Sequence, residues 1–212
     1  MPVVRRFQGA QRFLPVHRTL ETLRDAAARC HGCPLYKEAT HVVFGEGPAD
    51  ARAVFVGEVP GDYEDRVGHP FVGPAGRVLD EALATAGIDR KRVFMTNAVK
   101  HFKFTRRGKR RIHDKPSRYE VTACKPWLDA ELELVEPDVV VVLGATAGQA
   151  LFGPSFRIEP SRGHELESRF APHTFATLHP AAVLRAPDHA MREIMKQRFF
   201  DDIALAAACL RA

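Results

Sequence analysis

The sequence predicts an α/β fold, a parallel sheet covered on both faces by helices. Segments that read as strands alternate along the chain with segments that read as helices, which is the order parallel crossovers require. One predicted strand, Val139–Leu143, is a continuous apolar run rich in β-branched residues, as expected of a strand buried on both faces. Glu58, Asn97 and His179 each fall just past the end of a different predicted strand. In such sheets ligands bind beyond the carboxyl ends of the strands, so these three polar residues are expected to converge on one cleft.

The elements follow in order. Leu20, Leu23 and Ala27 are at helical spacing and predict a helix over residues 19–29. Residues 53–56 read as a buried strand that breaks into Gly57-Glu58-Val59-Pro60-Gly61. Val78, Leu79, Leu83 and Ala86 share one face of a predicted helix over 76–86, with Gly87 as its C-cap. Residues 93–96 form a second strand ending at Asn97. A helix over 117–135 opens on Ser117 as N-cap, with Glu120 completing a capping box and Pro137 beyond its end. After the third strand come Gly144 and a helix from Thr146 to Phe152. A fourth strand, 174–178, ends at His179-Pro180, and a helix over 191–210 closes the chain.

The 212 residues suffice for one sizeable core. No apolar run is long enough to span a bilayer, and no secretory signal is legible near Arg5 and Arg6. The expectation is a cytoplasmic monomer with no membrane contact, built as a basic irregular arm over 1–16 and one domain over 17–212. Of four cysteines, Cys30 and Cys33 form a C-x-x-C that suits a metal, a cluster or a redox pair. Pro34 interrupts regular structure after it, which favours metal or cluster over the strand-to-helix turn of a redox dithiol. Cys209, in an apolar helical stretch, reads as a plain buried thiol.

Charge is concentrated in one place. From Lys100 to Arg118 there are nine Lys and Arg and a single acid, Asp114, so this segment carries +8 while the whole chain carries +5. Such a focus attracts a polyanion, of which nucleic acid is the commonest, although a solvated basic loop or a localisation signal has the same composition. Phe102 and Phe104 within it suit base stacking.

At the rim, Glu58 between turn glycines suits a base, a water-orienting group or a counter-charge to a developing cation, and equally a turn acid without chemistry. Asn97 offers one acceptor and two donors, which match the edge of a pyrimidine or its own turn. His179 can donate to a departing anion or be structural. Phe71, among turn residues, suits the floor of a pocket for a flat ring or a core anchor. Asp62, Glu64 and Asp65 read as a solvated acidic loop, with metal binding as the alternative.

In order, Gly57-Glu58-Val59-Pro60-Gly61, Pro70-Phe71-Val72-Gly73-Pro74-Ala75-Gly76, Asn97-Ala98-Val99-Lys100 and His179-Pro180 resemble the uracil-DNA glycosylase superfamily, over nearly the whole chain from Cys30 onward. The branch most resembled includes the family-4 enzymes, and Lys109-Arg110-Arg111-Ile112-His113 resembles the insert of the UdgX proteins. The resemblance implies a single αβα sandwich with a central four-stranded parallel sheet. It implies a uracil pocket formed by Gly57, Val59, Phe71 and Asn97, with His179 facing the uracil O2 and Glu58 stabilising positive charge on the sugar. It also implies a [4Fe-4S] cluster on Cys30, Cys33, His101 and Cys124, His101 standing where family-4 enzymes have a cysteine. Zinc suits the same donors.

In UdgX-like proteins the loop histidine, here His113, attacks C1′ after uracil leaves and keeps protein and DNA joined. Lys109, Arg110, Arg111 and the wedge residue Leu184 would contact the DNA, with single strands preferred. Two positions depart from the pattern. Val59 stands where UdgX proteins usually have Gln, and Ala181 stands where Ser commonly follows the His-Pro motif. Three functions are therefore in play: a covalent uracil-DNA trap, a turnover uracil-DNA glycosylase, and a cluster-bearing single-stranded DNA-binding module without excision.

Overall fold

The structure is a computed structural model that describes residues 8–211. Of the predicted N-terminal arm, residues 1–7 lie outside the described residues. Gly9 and Ala10 hydrogen-bond to Gly32 O (3.1 Å) and Ala123 O (2.7 Å) and pack on the body.

Four parallel strands, β1 (Ala53–Gly57), β2 (Val93–Asn97), β5 (Val139–Leu143) and β6 (His173–Thr177), form a sheet of order β2-β1-β5-β6. Every residue of β1, β2 and β5 is buried, which is why β1 and β5 read as apolar runs, while β2 ends on the buried polar pair Thr96 and Asn97. Alternate side chains feed two cores. Val54, Val56, Phe94, Val140 and Val142 pack with α1 (Leu20–Ala27), α4 (Arg118–Val135) and α5 (Ala145–Phe152). Ala53, Phe55, Met95, Val141 and Phe175 pack with α3 (Pro74–Thr85) and α8 (His189–Arg211). Two short helices, α6 (Ile158–Ser161) and α7 (Pro180–Leu184), flank β6. No helix among the described residues is long and apolar enough to cross a membrane.

Local chemistry fixes the helix starts. Ser117 Oγ accepts from Glu120 N (3.3 Å) while Glu120 returns the bond to Ser117 N (2.6 Å), the capping box expected from the sequence. Thr19 and Thr22 cap α1 in the same way.

Two expectations are corrected. The basic segment is a hairpin: β3 (Phe104–Arg107) pairs antiparallel with β4 (Arg110–His113), and Gly108 (φ 59°) takes the first central position of a two-residue turn. The acidic stretch is a helix, α2 (Asp62–Val67), and is not a solvated loop. Glu64 is buried and accepts from Gly73 N (2.9 Å), and Asp65 is buried and accepts from Thr40 N (2.9 Å). Their carboxylates tie loop backbone together, a use that composition alone does not reveal.

Candidate functional site

The chain runs from β1 out to β2 and then back to β5 on the other side of β1. This reversal opens a crevice beyond the strand ends. Glu58 follows β1 and Thr146 follows β5, and Thr146 Oγ1 donates to Glu58 Oε1 at 2.6 Å. Glu58, Val59, Phe71, Asn97, His113, His179 and Leu184 line one pocket. The rim residues read from three strand ends therefore do converge, and the hairpin adds His113. Sequence reasoning missed Thr146 and Arg185, which lines the pocket beside Leu184. The rule that singled out the other rim residues, a polar side chain just past a strand end, was available for Thr146.

The floor is closely built. A Cβ on Gly57 would stand 2.3 Å from Asn97 Oδ1 and 2.6 Å from Phe71 Cζ, so only glycine lets the two meet. Phe71 has φ 55°, a backbone state that a bulky residue rarely takes. A Cβ on Gly76 would be 1.8 Å from Phe71 O, so the helix N-terminus of α3 presses on this strained residue. Asn97 is 3 % exposed, and its strand-end turn is held by Ala98 N to Gly57 O (2.8 Å) and Val99 N to Glu58 O (3.0 Å). Beneath it, buried Lys100 Nζ donates to Asn97 O (2.8 Å), Thr96 Oγ1 (2.6 Å) and Glu131 Oε2 (2.6 Å).

His179 opens α7. Its Nδ1 accepts from Ala181 N (3.2 Å), which leaves the neutral ring's proton on Nε2 as a donor. Burial first, then the nearby Arg185 and His113, lower its pKa from 6.5 to about 4. The ring lies against Phe71, with centroids 6.4 Å apart and planes at 28°.

The hairpin is anchored through Arg111. Its guanidinium donates to Asp62 Oδ1, Asp65 Oδ2 (2.6 Å) and Thr40 Oγ1 (3.2 Å), and it lies over the rings of Phe102 (5.4 Å) and Phe104 (5.0 Å). Burial pushes the Asp62 carboxyl up, but the bonds from Arg66 and Arg111 outweigh it and hold the carboxyl below its usual value. This corrects two expectations. Arg111 is committed inside the protein and is not free to grip a phosphate, and Phe102 is 1 % exposed, stacked on Phe104 at 5.0 Å, and not open to a base. Lys109 and Arg110 stand exposed at the hairpin tip, and Leu184 is 41 % exposed at the pocket mouth.

Cys30, Cys33, His101 and Cys124 are all buried and line one small cavity of about 10 Å³. Trp127 Nε1 donates to Cys30 Sγ (3.3 Å) and Lys100 N to Cys124 Sγ (3.3 Å). Burial pushes the Cys33 thiol up to about 11 and Cys124 up to about 12, and lowers His101 to about 4. Among the described residues no group of three or more His, Cys, Asp or Glu side chains is arranged to hold a metal ion. Cys209 is half-buried against the α3–α8 core.

Comparison with known proteins identifies the architecture. Residues 44–204 match the family described as the uracil DNA glycosylase superfamily, a stretch that begins after Cys30 and Cys33. The chain is 38 % identical over 177 residues to the type-4 uracil-DNA glycosylase of Thermotoga maritima, covering 83 % of this chain and 88 % of that protein. It is 38 % identical over 180 residues to that of Archaeoglobus fulgidus, covering 79 % and 86 %, and 34 % identical over 189 residues to that of Sulfurisphaera tokodaii, covering 85 % and 82 %.

Proposed function

The chain belongs to the uracil-DNA glycosylase superfamily, and from that premise we propose that it excises uracil from DNA and that His113 then captures the sugar. The observation that carries this reading is that His113 lines the same pocket as Glu58, Phe71, Asn97 and His179.

A uracil turned out of the strand rests on Phe71 and meets Asn97, whose amide matches the pyrimidine edge. The backbone of Gly57 and Val59 forms the wall. The N1–C1′ bond breaks and its electron pair leaves with uracil as an anion. His179 Nε2–H donates to the O2 of that anion. Positive charge remains at C1′, where the Glu58 carboxylate, oriented by Thr146, stabilises it. A neutral His113 ring nitrogen then places its lone pair on C1′, forming a C–N bond, and the surplus ring proton passes to solvent. Proximity gives the imidazole an advantage over water. Lys109 and Arg110 meet phosphates of the DNA, single-stranded by preference, and Leu184 enters the gap left by the base.

For the cofactor, three buried thiols and an imidazole around one space fit a [4Fe-4S] cluster on Cys30, Cys33, His101 and Cys124. A buried thiol ionises beside a metal, and the raised pKa of Cys33 argues against a redox dithiol. The N–H donors on Cys30 and Cys124 are of the kind that tune cluster sulfurs. Cys30, Cys33, His101 and Cys124 would hold the cluster, which would tie the base of the hairpin to α4 and would supply no chemistry on the base. Iron and acid-labile sulfide assays beside Cys124→Ser test this part. Both should be present in the wild type and lost in the variant, and their absence from both proteins overturns it.

The functional test is incubation with uracil-containing single-stranded DNA followed by denaturing electrophoresis, beside His113→Ser. A retarded band that persists through denaturation and disappears in the variant is expected. Uracil release without that band makes this a turnover glycosylase, and neither product makes it a binding module.

A further inference from the structure

We propose that the groove between the start of α4 and helix α5 is a second nucleic-acid subsite, which holds the backbone of single-stranded DNA flanking the base in the pocket. The proposal rests on the uracil-excision reading and extends it to a surface that lies outside the catalytic pocket.

The groove has an apolar floor, Val121 and Leu151, and a basic rim, Lys115, Arg118 and Lys125. Among the described residues no acidic side chain lines it. Lys115 and Arg118 are exposed. Lys125 is already paired with Asp129 and lies 5.6 Å from the Phe170 ring centre, so the field in the groove comes chiefly from the first two. The groove and the pocket adjoin across Thr146. This residue forms the groove wall on one side and holds Glu58 Oε1 at 2.6 Å on the other. Along the chain, Lys115 follows His113 by two residues, across the turn where Asp114 N bonds Lys103 O (2.9 Å).

This pattern selects the ligand. Exposed cations on the rim suit phosphates, which position a strand without reading its sequence. An apolar floor beneath them accommodates base and sugar faces that a single strand exposes and a duplex keeps stacked inside. A lone small anion needs neither the length nor the floor. Since the groove and the uracil pocket share no lining residue, its occupant is the strand to one side of the excised base.

The test uses the full chain with His113→Ser, so that binding stays reversible, with and without Lys115→Glu plus Arg118→Glu. Lys115→Gln plus Arg118→Gln serves as the milder pair. Dissociation constants for uracil-containing single strands are measured over a range of salt, with long flanks on both sides and with either flank removed. Charge reversal is expected to weaken binding to the long strand about tenfold. It should also reduce the salt slope by about 1.4, at ~0.7 per lost phosphate contact on a single strand. Removing one particular flank should bring the parent protein down to the level of the variant. Uracil release from saturating DNA, measured with His113 intact, should be unchanged by the two rim substitutions. Equal affinity, salt slope and flank dependence in parent and charge-reversed proteins overturns the groove. Absence of uracil release at saturation instead overturns the excision reading, and the binding measurements still decide the groove.

Discussion

Gly57 and Asn97 are partners in the β1–β2 register, and a Cβ on Gly57 would stand 2.3 Å from Asn97 Oδ1. Neither neighbour can yield easily: Asn97 is 3 % exposed and Phe71 is held at φ 55°. Gly57→Ala is therefore expected to displace the groups that would receive uracil, with a loss on the order of 10²-fold in excision and a much smaller change in melting temperature. Single-turnover excision at the parent rate would show that the pocket does not depend on this contact.

Thr146→Val removes the hydroxyl that orients Glu58 and keeps the side-chain shape. A hydrogen bond to a charged group contributes ~1.5–3 kcal/mol, so the single-turnover rate of uracil release at saturating DNA should fall about tenfold to a hundredfold with DNA affinity little changed, and Thr146→Ser should restore it. Weaker DNA binding at an unchanged saturating single-turnover rate would place Thr146 in substrate binding.

Arg111→Ala leaves Asp65, buried at 0 % side-chain exposure, without its cation. Breaking such a pair costs about 3–5 kcal/mol, here toward the lower end because Thr40 N and His41 N still donate to Asp65. Urea unfolding measures that loss. Because the hairpin carries His113, adduct yield should fall more than uracil release, and equal losses in both would show that the anchor does not position His113.

The depressed pKa of His179 predicts a pH window. Its folded value is about 4 against 6.5 unperturbed, so between these the unfolded chain binds a proton that the folded ring refuses. The stability contributed by keeping the ring neutral is complete above the unfolded value and lost as pH falls toward the folded one. His179→Gln should narrow the difference in urea midpoint between about pH 7 and about pH 5. An unchanged difference would show that the ring titrates normally.

The fold was legible because its signals are local and repeated. Val139–Leu143 and the Ser117–Glu120 capping box fix their elements from sequence alone, and strand ends located Glu58, Asn97 and His179. Long-range pairing was not legible. Arg111 and the acids of α2 are 46 and 49 positions apart for the two closest contacts, so nothing local distinguishes an arginine bound for a phosphate from one bound for Asp65. The hairpin was hidden for a related reason: β3 and β4 are mostly exposed and charged and lack the half-buried alternation that marks a strand. Phe102 looked available for stacking because its burial depends on Phe104 and Arg111 folding over it.

Mass analysis of peptides after reaction with uracil-containing single-stranded DNA tests the central claim most directly. The account predicts that the peptide carrying His113 gains the mass of the DNA strand less uracil, with the modification located on the imidazole. An unmodified His113 peptide from protein that has released uracil would contradict it.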